Sequence, residues 1–419
     1  MREIPQGYQK TKVGIIPDDW DLYRIDNILQ RVRKKVEVEQ EINYQQIGIR
    51  SHAKGIFHKE LVTGKEIGNK SVFWIEEDCF IVNIVFAWEQ AISKTTENER
   101  GMIASHRFPM YQPKDNKVDI DYILCFFKSK RGKHLLGLAS PGGAGRNKTL
   151  GQGEFAELKI PLPSLMEQEK IVKILTTWDN AISKQGELIK IKEGLKKGLI
   201  QKLLSSEIRF NGFCDEWQDT MLEKLVFFQE GPGVRNTQYR KIGVKLLNVG
   251  NLNNNQLNLD ATDKYISEEE AYGNYKHFLV DDGDLLISCS GVNSESFKRK
   301  IAFANKNDLP LCMNTSTMRF KSIDNKLDLV YLYHFFQTFN FEKQVFRILT
   351  GSAQFNFGPT HIKWFKIYLP SQQEQQRISD VLSNIDKEIC LLKNELEELK
   401  EQKKGLMQKL LTGEVRVKI

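Results

Sequence analysis

The chain has 419 residues, 40% hydrophobic and 27% charged, with 61 lysines and arginines against 54 aspartates and glutamates. That balance excludes a disordered chain, and no apolar run approaches the ~18 residues of a membrane span. The length predicts two or three domains, and the net charge of +7 permits a nucleic-acid partner without requiring one. The opening MREIPQGYQK lacks an apolar signal core, so the expected location is the cytoplasm.

Taken from the start, the chain enters on Asp18-Asp19-Trp20, continues through YQQIGIR at Tyr44, and reaches a short apolar run after Asp78. Phe80-Ile81-Val82 reads as a strand. Asp119 to Phe127 reads as a helix, with Tyr122, Phe126 and Phe127 on its core face. The segment from Leu162 to Phe210 follows. Then everything recurs: Asp215-Glu216-Trp217, YRKIGVK at Tyr239, Leu285-Leu286-Ile287 after Asp284, and a helix from Asp328 to Phe336 carrying Tyr331, Phe335 and Phe336. Leu369 to Val417 matches Leu162 to Phe210 without a gap, identical at 19 of 49 positions. Chance does not produce this, so the chain is an internal repeat. The offsets drift between 195 and 209 in the globular parts, which marks loop insertions, the largest between Val244 and Asp284. The expected organisation is a globular domain over 1–161, a long helix over 162–210, a second globular domain over 211–368 and a second long helix over 369–419.

Both repeated segments start a helix. Ser164 and Ser371 each follow a proline and precede Glu167 and Glu374 by three, the spacing of a capping box. Apolar residues then alternate at spacings of three and four. In the second copy they are Ile378, Leu382, Ile385, Ile389, Leu392, Leu396, Leu399, Leu406 and Leu410, with Lys403 interrupting. In the first they are Ile171, Leu175, Trp178, Ile182, Ile189, Leu199 and Leu203, with Gln185, Lys192 and Lys196 interrupting. This is a heptad seam, and Gly413 suits a helix C-cap. Residues 165–205 carry 8 − 5 = +3 charges and residues 372–412 carry 7 − 8 = −1, which favours pairing the two helices with each other over packing each on its own domain. The expected fold class is α+β: two similar mixed domains alternating with two long helices that pair as an antiparallel coiled coil, with pseudo-two-fold repeat symmetry.

The loops gather basic, hydroxyl and amide side chains. The first domain offers Arg50, Ser51, His52 and Lys54, then Ser105, His106 and Arg107, then Arg146, Asn147 and Lys148. The second offers Arg235, Asn248, Asn251, Ser288, Ser290, Asn293, Ser294, Lys298, Arg299, Ser352, Gln354 and Asn356. Arg and Lys suit phosphates and guanine edges, and Asn and Gln suit adenine edges; the same composition also serves a plain solvated loop.

Catalytic patterns fail on inspection. Gly142-Gly143-Ala144-Gly145 precedes Lys148-Thr149, but Asn147 stands where a phosphate loop requires glycine. Gly231-Pro232-Gly233 carries a proline where a nucleotide fingerprint needs backbone freedom. No Asn/Asp-Pro-Pro-aromatic motif of an amino-methyltransferase occurs, and Glu157-Leu158-Lys159 lacks the Pro-Asp partner of a nuclease motif. The six cysteines, Cys79, Cys125, Cys214, Cys289, Cys312 and Cys390, have no metal spacing, and the seven histidines form no HExxH. The cysteines read as buried small hydrophobes, and neither metal nor cofactor is expected. An enzyme fused to its own reader, or a coiled-coil protein without a DNA role, would be the competing classes.

The doubled LPS-x-x-EQ and KKGL-x-QKLL segments, the GDLLIS run at Gly283 and the TGSAQFN run at Thr350 resemble the specificity (S) subunit of type I restriction–modification systems, over essentially the whole chain. The first domain departs from the pattern, with Ala144-Gly145-Arg146-Asn147 where the second has Gly351-Ser352-Ala353-Gln354. The resemblance implies two target recognition domains, each reading half of a split double-stranded DNA site. It implies an antiparallel helix pair that docks two methyltransferase (M) subunits, joined by restriction (R) subunits, with all chemistry in those partners. Antiparallel pairing also follows from duplex symmetry, since two copies of one fold grip the two strands equivalently only across a two-fold axis.

A helix pair that sets reader separation acts as a ruler. Seven residues added to each helix keep the heptad phase and add ~10 Å, at most about three base pairs at 3.4 Å each. The methylation motif of that variant should gain up to three spacer base pairs, whereas a three-residue insertion should break the seam and weaken assembly. An active seven-residue variant with an unchanged spacer would refute the ruler.

Overall fold

The computed structural model describes residues 4–142, 148–290, 297–348 and 358–418. Two compact units emerge, Met1–Gly186 with Asn394–Ile419, and Glu187–Lys393. The division passes through both long helices, Leu165–Leu203 and Gln372–Thr412. Each unit therefore holds one globular domain with half of each helix.

In the first unit, Leu29–Val32, Met110–Pro113, Phe80–Val82 and Ile92–Lys94 form an antiparallel sheet in that order. A second sheet runs Ile56–Thr63, Asn43–Ile49, Ile103–Ser105, Val72–Trp74, with its central pair parallel. Asp21–Arg24 pairs with Lys159–Leu162, the strand leading into the helix. The second unit repeats this plan. Val226–Glu230, Thr317–Ser322, Leu285–Ser288 and Ile301–Phe303 are antiparallel. Val244–Leu247 and Leu311–Met313 are the parallel pair, and Gln218–Met221 meets Lys366–Leu369. The sequence repeat is thus a repeat of topology.

The two predicted domain helices are Ile120–Lys128 and Leu329–Phe335, started by Asp119 and Asp328, whose carboxylates accept from the first-turn amides. Their aromatics are core, as expected: Tyr122, Phe126, Phe127, Tyr331, Phe335 and Phe336 are at most 1% exposed. Each such ring contributes roughly 1.5–3 kcal/mol on burial, which is why they sit inside and do not stack on bases. The cysteine expectation needs correction. Cys79, Cys289 and Cys312 are buried and Cys125 half-buried, but Cys214 and Cys390 are exposed. Cys390 follows the seam residue Ile389, and adjacent helix positions do not share a face.

The helix starts hold the junctions together. Ser164 and Ser371 cap as expected, accepting from the amides of Glu167 and Glu374. The carboxylates do not fold back to complete the box, because each is claimed by an arginine and a tryptophan. In the first unit Glu167 is 1% exposed. It accepts from Arg416 Nε at 2.8 Å and Nη2 at 2.9 Å, and from Trp20 Nε1 at 3.2 Å. In the second unit Glu374, equally buried, accepts from Arg209 Nε at 2.9 Å and Nη2 at 2.8 Å, and from Trp217 Nε1 at 3.0 Å. The neighbouring glutamines are used identically. Gln168 accepts from Asp119 N and donates to Lys117 O and Pro163 O. Gln375 accepts from Asp328 N and donates to Lys326 O and Pro370 O. One difference is that Arg416 also forks onto Asp19, holding that carboxyl below its usual range.

Within each unit the helices pair antiparallel. In the first, Gln185 donates to Glu395 at 2.9 Å and Lys403 pairs with Asp179. In the second, Lys192 pairs with Glu388 at 2.7 Å and Lys196 with Asp386 at 2.5 Å. Positions rise on one helix as they fall on the other. The residues that interrupt the heptads are thus the interhelical polar contacts. Each exposed pair contributes at most about 1 kcal/mol, so they fix orientation and register, while Ile171, Leu175, Ile189, Ile378, Leu382, Ile389 and Leu410 supply the burial. Gly413 ends the second helix at φ +73°, and a Cβ there would clash with the Pro17 ring.

Removing Arg209 strands a buried carboxylate. Arg209→Ala should destabilise the second unit, read as a lower urea midpoint. Adding Glu374→Gln should recover part of the loss, because a neutral amide tolerates burial without a cation. Additive losses in the double mutant would contradict the clamp.

Candidate nucleic-acid interface

In the first unit, three separate loops converge on one turn, Asn83–Ala91. Arg50–Lys54 is the tip of the hairpin joining Asn43–Ile49 to Ile56–Thr63, with His52 and Ala53 at positive φ. His52 N donates to Glu89 O at 2.7 Å, Ala53 N to Gln90 O at 2.8 Å, and Ser51 Oγ to Glu89 Oε2 at 2.9 Å. Ser105–Arg107 reaches the same turn from the other side, where Ile84 N donates to Arg107 O at 3.0 Å. Leu150 N donates to Ile84 O at 2.8 Å, and the Lys148 ammonium lies 5.7 Å from the Trp88 ring centroid. Gln90 anchors the turn by donating to Phe127 O and Lys128 O at the end of the domain helix.

This arrangement leaves Arg50, His52, Lys54, His106 and Arg107 exposed and Lys148 half-buried. Arg50 packs over Phe57 at 4.8 Å and donates to Ile56 O, which fixes its direction. Sequence reasoning missed the turn that gathers them. Its signal was Phe86-Ala87-Trp88-Glu89-Gln90, two large aromatics between strands with no helical or strand period. Phe86 is 37% exposed, and Trp88 Nε1 is buried without a hydrogen-bond partner among the described residues.

The second unit corrects part of the expectation. Asn251 is fully buried: it accepts from Asn248 N and Thr262 Oγ1 and donates to Asn258 O. Asn248 donates to Leu246 O and accepts from Asn314. Ser288 is also fully buried and donates to Ser290 O. The Asn251 and Ser288 side chains are buried in the fold, and half-buried Asn248 is tied into it. The asparagine-rich stretch is turn chemistry, since Asn254 and Asn255 hold positive φ, a conformation asparagine tolerates. Lys298 is tied to Glu342 at 2.7 Å. Arg235 and Arg299 are exposed and Ser290 half-buried. Beside Ser290, burial pushes the Cys289 thiol up, helped by Glu230 at 3.8 Å. Arg146, Asn147, Asn293, Ser294, Ser352, Gln354 and Asn356 lie outside the described residues.

Among the described residues, no cluster of three or more His, Cys, Asp or Glu side chains could hold a metal ion. No described helix is long and apolar enough to cross a membrane. What the geometry presents is a basic surface around the Asn83–Ala91 turn, together with exposed arginines on the second unit.

Known proteins match this architecture. The family model for the type I restriction modification DNA specificity domain matches twice, over residues 17–193 and 215–401. The MjaVIII specificity subunit of Methanocaldococcus jannaschii, a type I restriction enzyme subunit, is 25% identical across 96% of this chain and 94% of its own. The putative MjaX specificity subunit of the same organism is 26% identical across 99% and 97%. In fold, the chain resembles the HsdS subunit of Thermoanaerobacter tengcongensis at TM-score 0.52 and 16% identity, covering 96% of this chain and 98% of that one. It also resembles the type I S subunit of M. genitalium at TM-score 0.54 and 15% identity, covering 93% and 96%. With two matches spanning most of its length, the chain belongs to the family of type I restriction–modification specificity subunits.

Proposed function

We propose that this chain reads DNA for a type I restriction–modification enzyme, that each globular domain recognises one half of a split duplex site, and that no catalytic step resides in it. The observation that carries the reading is the convergence of three polar loops on the Asn83–Ala91 turn. A single flexible basic loop would be ordinary surface. Three loops fastened by backbone hydrogen bonds form a rigid basic face, which suits phosphate contacts that set register and side chains that reach base edges.

In the first domain the contacting residues are Arg50, Ser51, His52, Lys54, Ser105, His106, Arg107 and Lys148, joined by Arg146 and Asn147. In the second they are Arg235, Ser290 and Arg299, joined by Asn293, Ser294, Ser352, Gln354 and Asn356. Lys298 reaches a phosphate only by leaving Glu342.

The helices would dock two M subunits, which supply S-adenosylmethionine chemistry, and R subunits would join the assembly. Supporting this, Leu188, Ile191 and Leu195 stand 38%, 67% and 51% exposed. They share one helix face at spacings of three and four, a stripe the helix pair does not cover.

Two outcomes test the reading. With an M subunit supplied, replacing residues 14–160 by those of another family member should change one half of the methylated motif and leave the other intact; a change in both halves would sink the two-reader assignment. In the Lys54→Ala, Arg107→Ala variant, the slope of log affinity against log salt should fall by about 1 per lost phosphate contact, while an unchanged slope would remove these residues from the interface.

A further inference from the structure

On the second unit, the helix Phe339–Ile348 and the strand Lys366–Leu369 flank an open groove of about 430 Å³. Asn340, Gln344 and Arg347 line it from the helix, and Trp364, Lys366 and Tyr368 line it from the strand and the turn before it. Trp364 is 64% exposed, Tyr368 44%, and Phe339 at the start of the helix 54%. Large apolar side chains gathered in water mark an interaction surface. Trp, Tyr and Arg are also the residues that most often anchor one protein on another.

The first unit closes the equivalent place. Its helix Lys130–Leu138 is the counterpart of Phe339–Ile348, because Ser129 and Thr338 start the two helices with the same bonds. Each hydroxyl donates to Phe126 O or Phe335 O and accepts from the amide of Gly132 or Phe341. Arg131 therefore stands where Asn340 lines the groove. A hairpin, Tyr8–Thr11 with Gly14–Pro17, reaches Arg131, whose Nη2 is 3.5 Å from where a Cβ on Gly14 would lie. In the paired strand Pro161, the counterpart of Tyr368, is buried. The second unit has no such hairpin, since residues 204–216 form no strand. A peptide segment covers this place in one unit and is missing from it in the other.

Charge narrows what can cover it. Lys366 is neutralised by Asp219 at 2.9 Å, and Glu342 is claimed by Lys298 at 2.7 Å. Lys343, Arg347 and Lys363 have no ion-pair partner among the described residues, so the surface is positive. The hairpin of a second copy carries Lys10 and Lys12 and would be repelled. A nucleic acid needs a track of cations along its backbone, but Lys343 is drawn over the Phe339 ring at 4.6 Å and Lys366 is held by Asp219. Addition of a β-strand is also blocked at Lys366, whose amide and carbonyl are both taken by the Gln344 side chain at 2.7 and 2.9 Å. Side-chain contacts with an acidic, partly apolar segment remain.

We propose that this groove docks an acidic segment of a protein partner, with Arg347 and Lys363 meeting its carboxylates and Trp364 and Tyr368 covering its apolar side chains. It binds once per chain, because the first unit has no open counterpart. That separates this partner from the M subunits of the proposed assembly, to which the repeat offers two equivalent positions. The inference does not rest on the DNA reading.

Fluorescence anisotropy with the full-length chain tests it, using three labelled probes. These are a blocked peptide of alternating aspartate and leucine, the same peptide with lysine for aspartate, and an oligothymidine of equal length. The variants are Arg347→Glu and Trp364→Ser, both at exposed positions; thermal melts matching the parent show that each is folded. The expected result is one aspartate peptide bound per chain, weakened about tenfold or more in each variant, with no binding of the lysine peptide. No binding of the aspartate peptide, two bound per chain, equal binding of the lysine peptide, or affinity unchanged in both variants overturns the proposal. Oligothymidine binding that is tighter than the peptide's and lost in the variants also overturns it, and makes the groove a nucleic-acid surface.

Discussion

A buried carboxylate at the first turn of each long helix, Glu167 in one unit and Glu374 in the other, is the constraint on which the remaining architecture rests. An unpaired carboxylate in that environment would be strongly destabilising. Each therefore requires its arginine and its tryptophan at the same time. The tryptophan comes from the entry to the globular domain. The arginine comes from just beyond the end of the other helix. One side chain thus ties domain entry, helix start and partner-helix end into a single junction, and the adjacent glutamine adds the loop before the domain helix. Stability of the domain and orientation of the helix pair become inseparable at that point.

The same logic separates what must stay constant from what is free to vary. The carboxylates, arginines and glutamines of the clamp and the buried seam lie in the segments that repeat without gaps, and they reach into the domains only at Trp20, Trp217 and the starts of the domain helices. The largest loop length change, between Val244 and Asp284, falls away from these bonds. A scaffold of this kind can exchange the surface it displays without disturbing how it is held, which suits a specificity subunit.

The repeat, the helix starts, the domain helices and their aromatic faces were legible in the sequence, because heptads, capping serines and matched motifs are local patterns; the first long helix ends at Leu203, short of the 210 that the repeat suggested. The destination of the Glu-Gln pair was not. Spacing suggested a capping box, and only the tertiary fold brings Arg416 and Trp20 to Glu167. Exposed Arg50, Lys54 and Arg107 gather around one turn, whereas Asn251 is buried in a turn of its own, since an asparagine that suits a base edge suits an Asx turn equally well. The Phe86–Gln90 turn escaped notice because its role is to gather loops distant in sequence, which no local periodicity encodes.

The central claim is that this chain alone dictates where its enzyme acts. Single-molecule sequencing of methylated bases, in cells expressing a cognate M subunit with or without this chain, tests it most directly. The account predicts a bipartite motif, two defined halves separated by a fixed unspecified spacer, that appears only when this chain is present. An identical motif without the chain, or a single contiguous motif with it, would contradict the account.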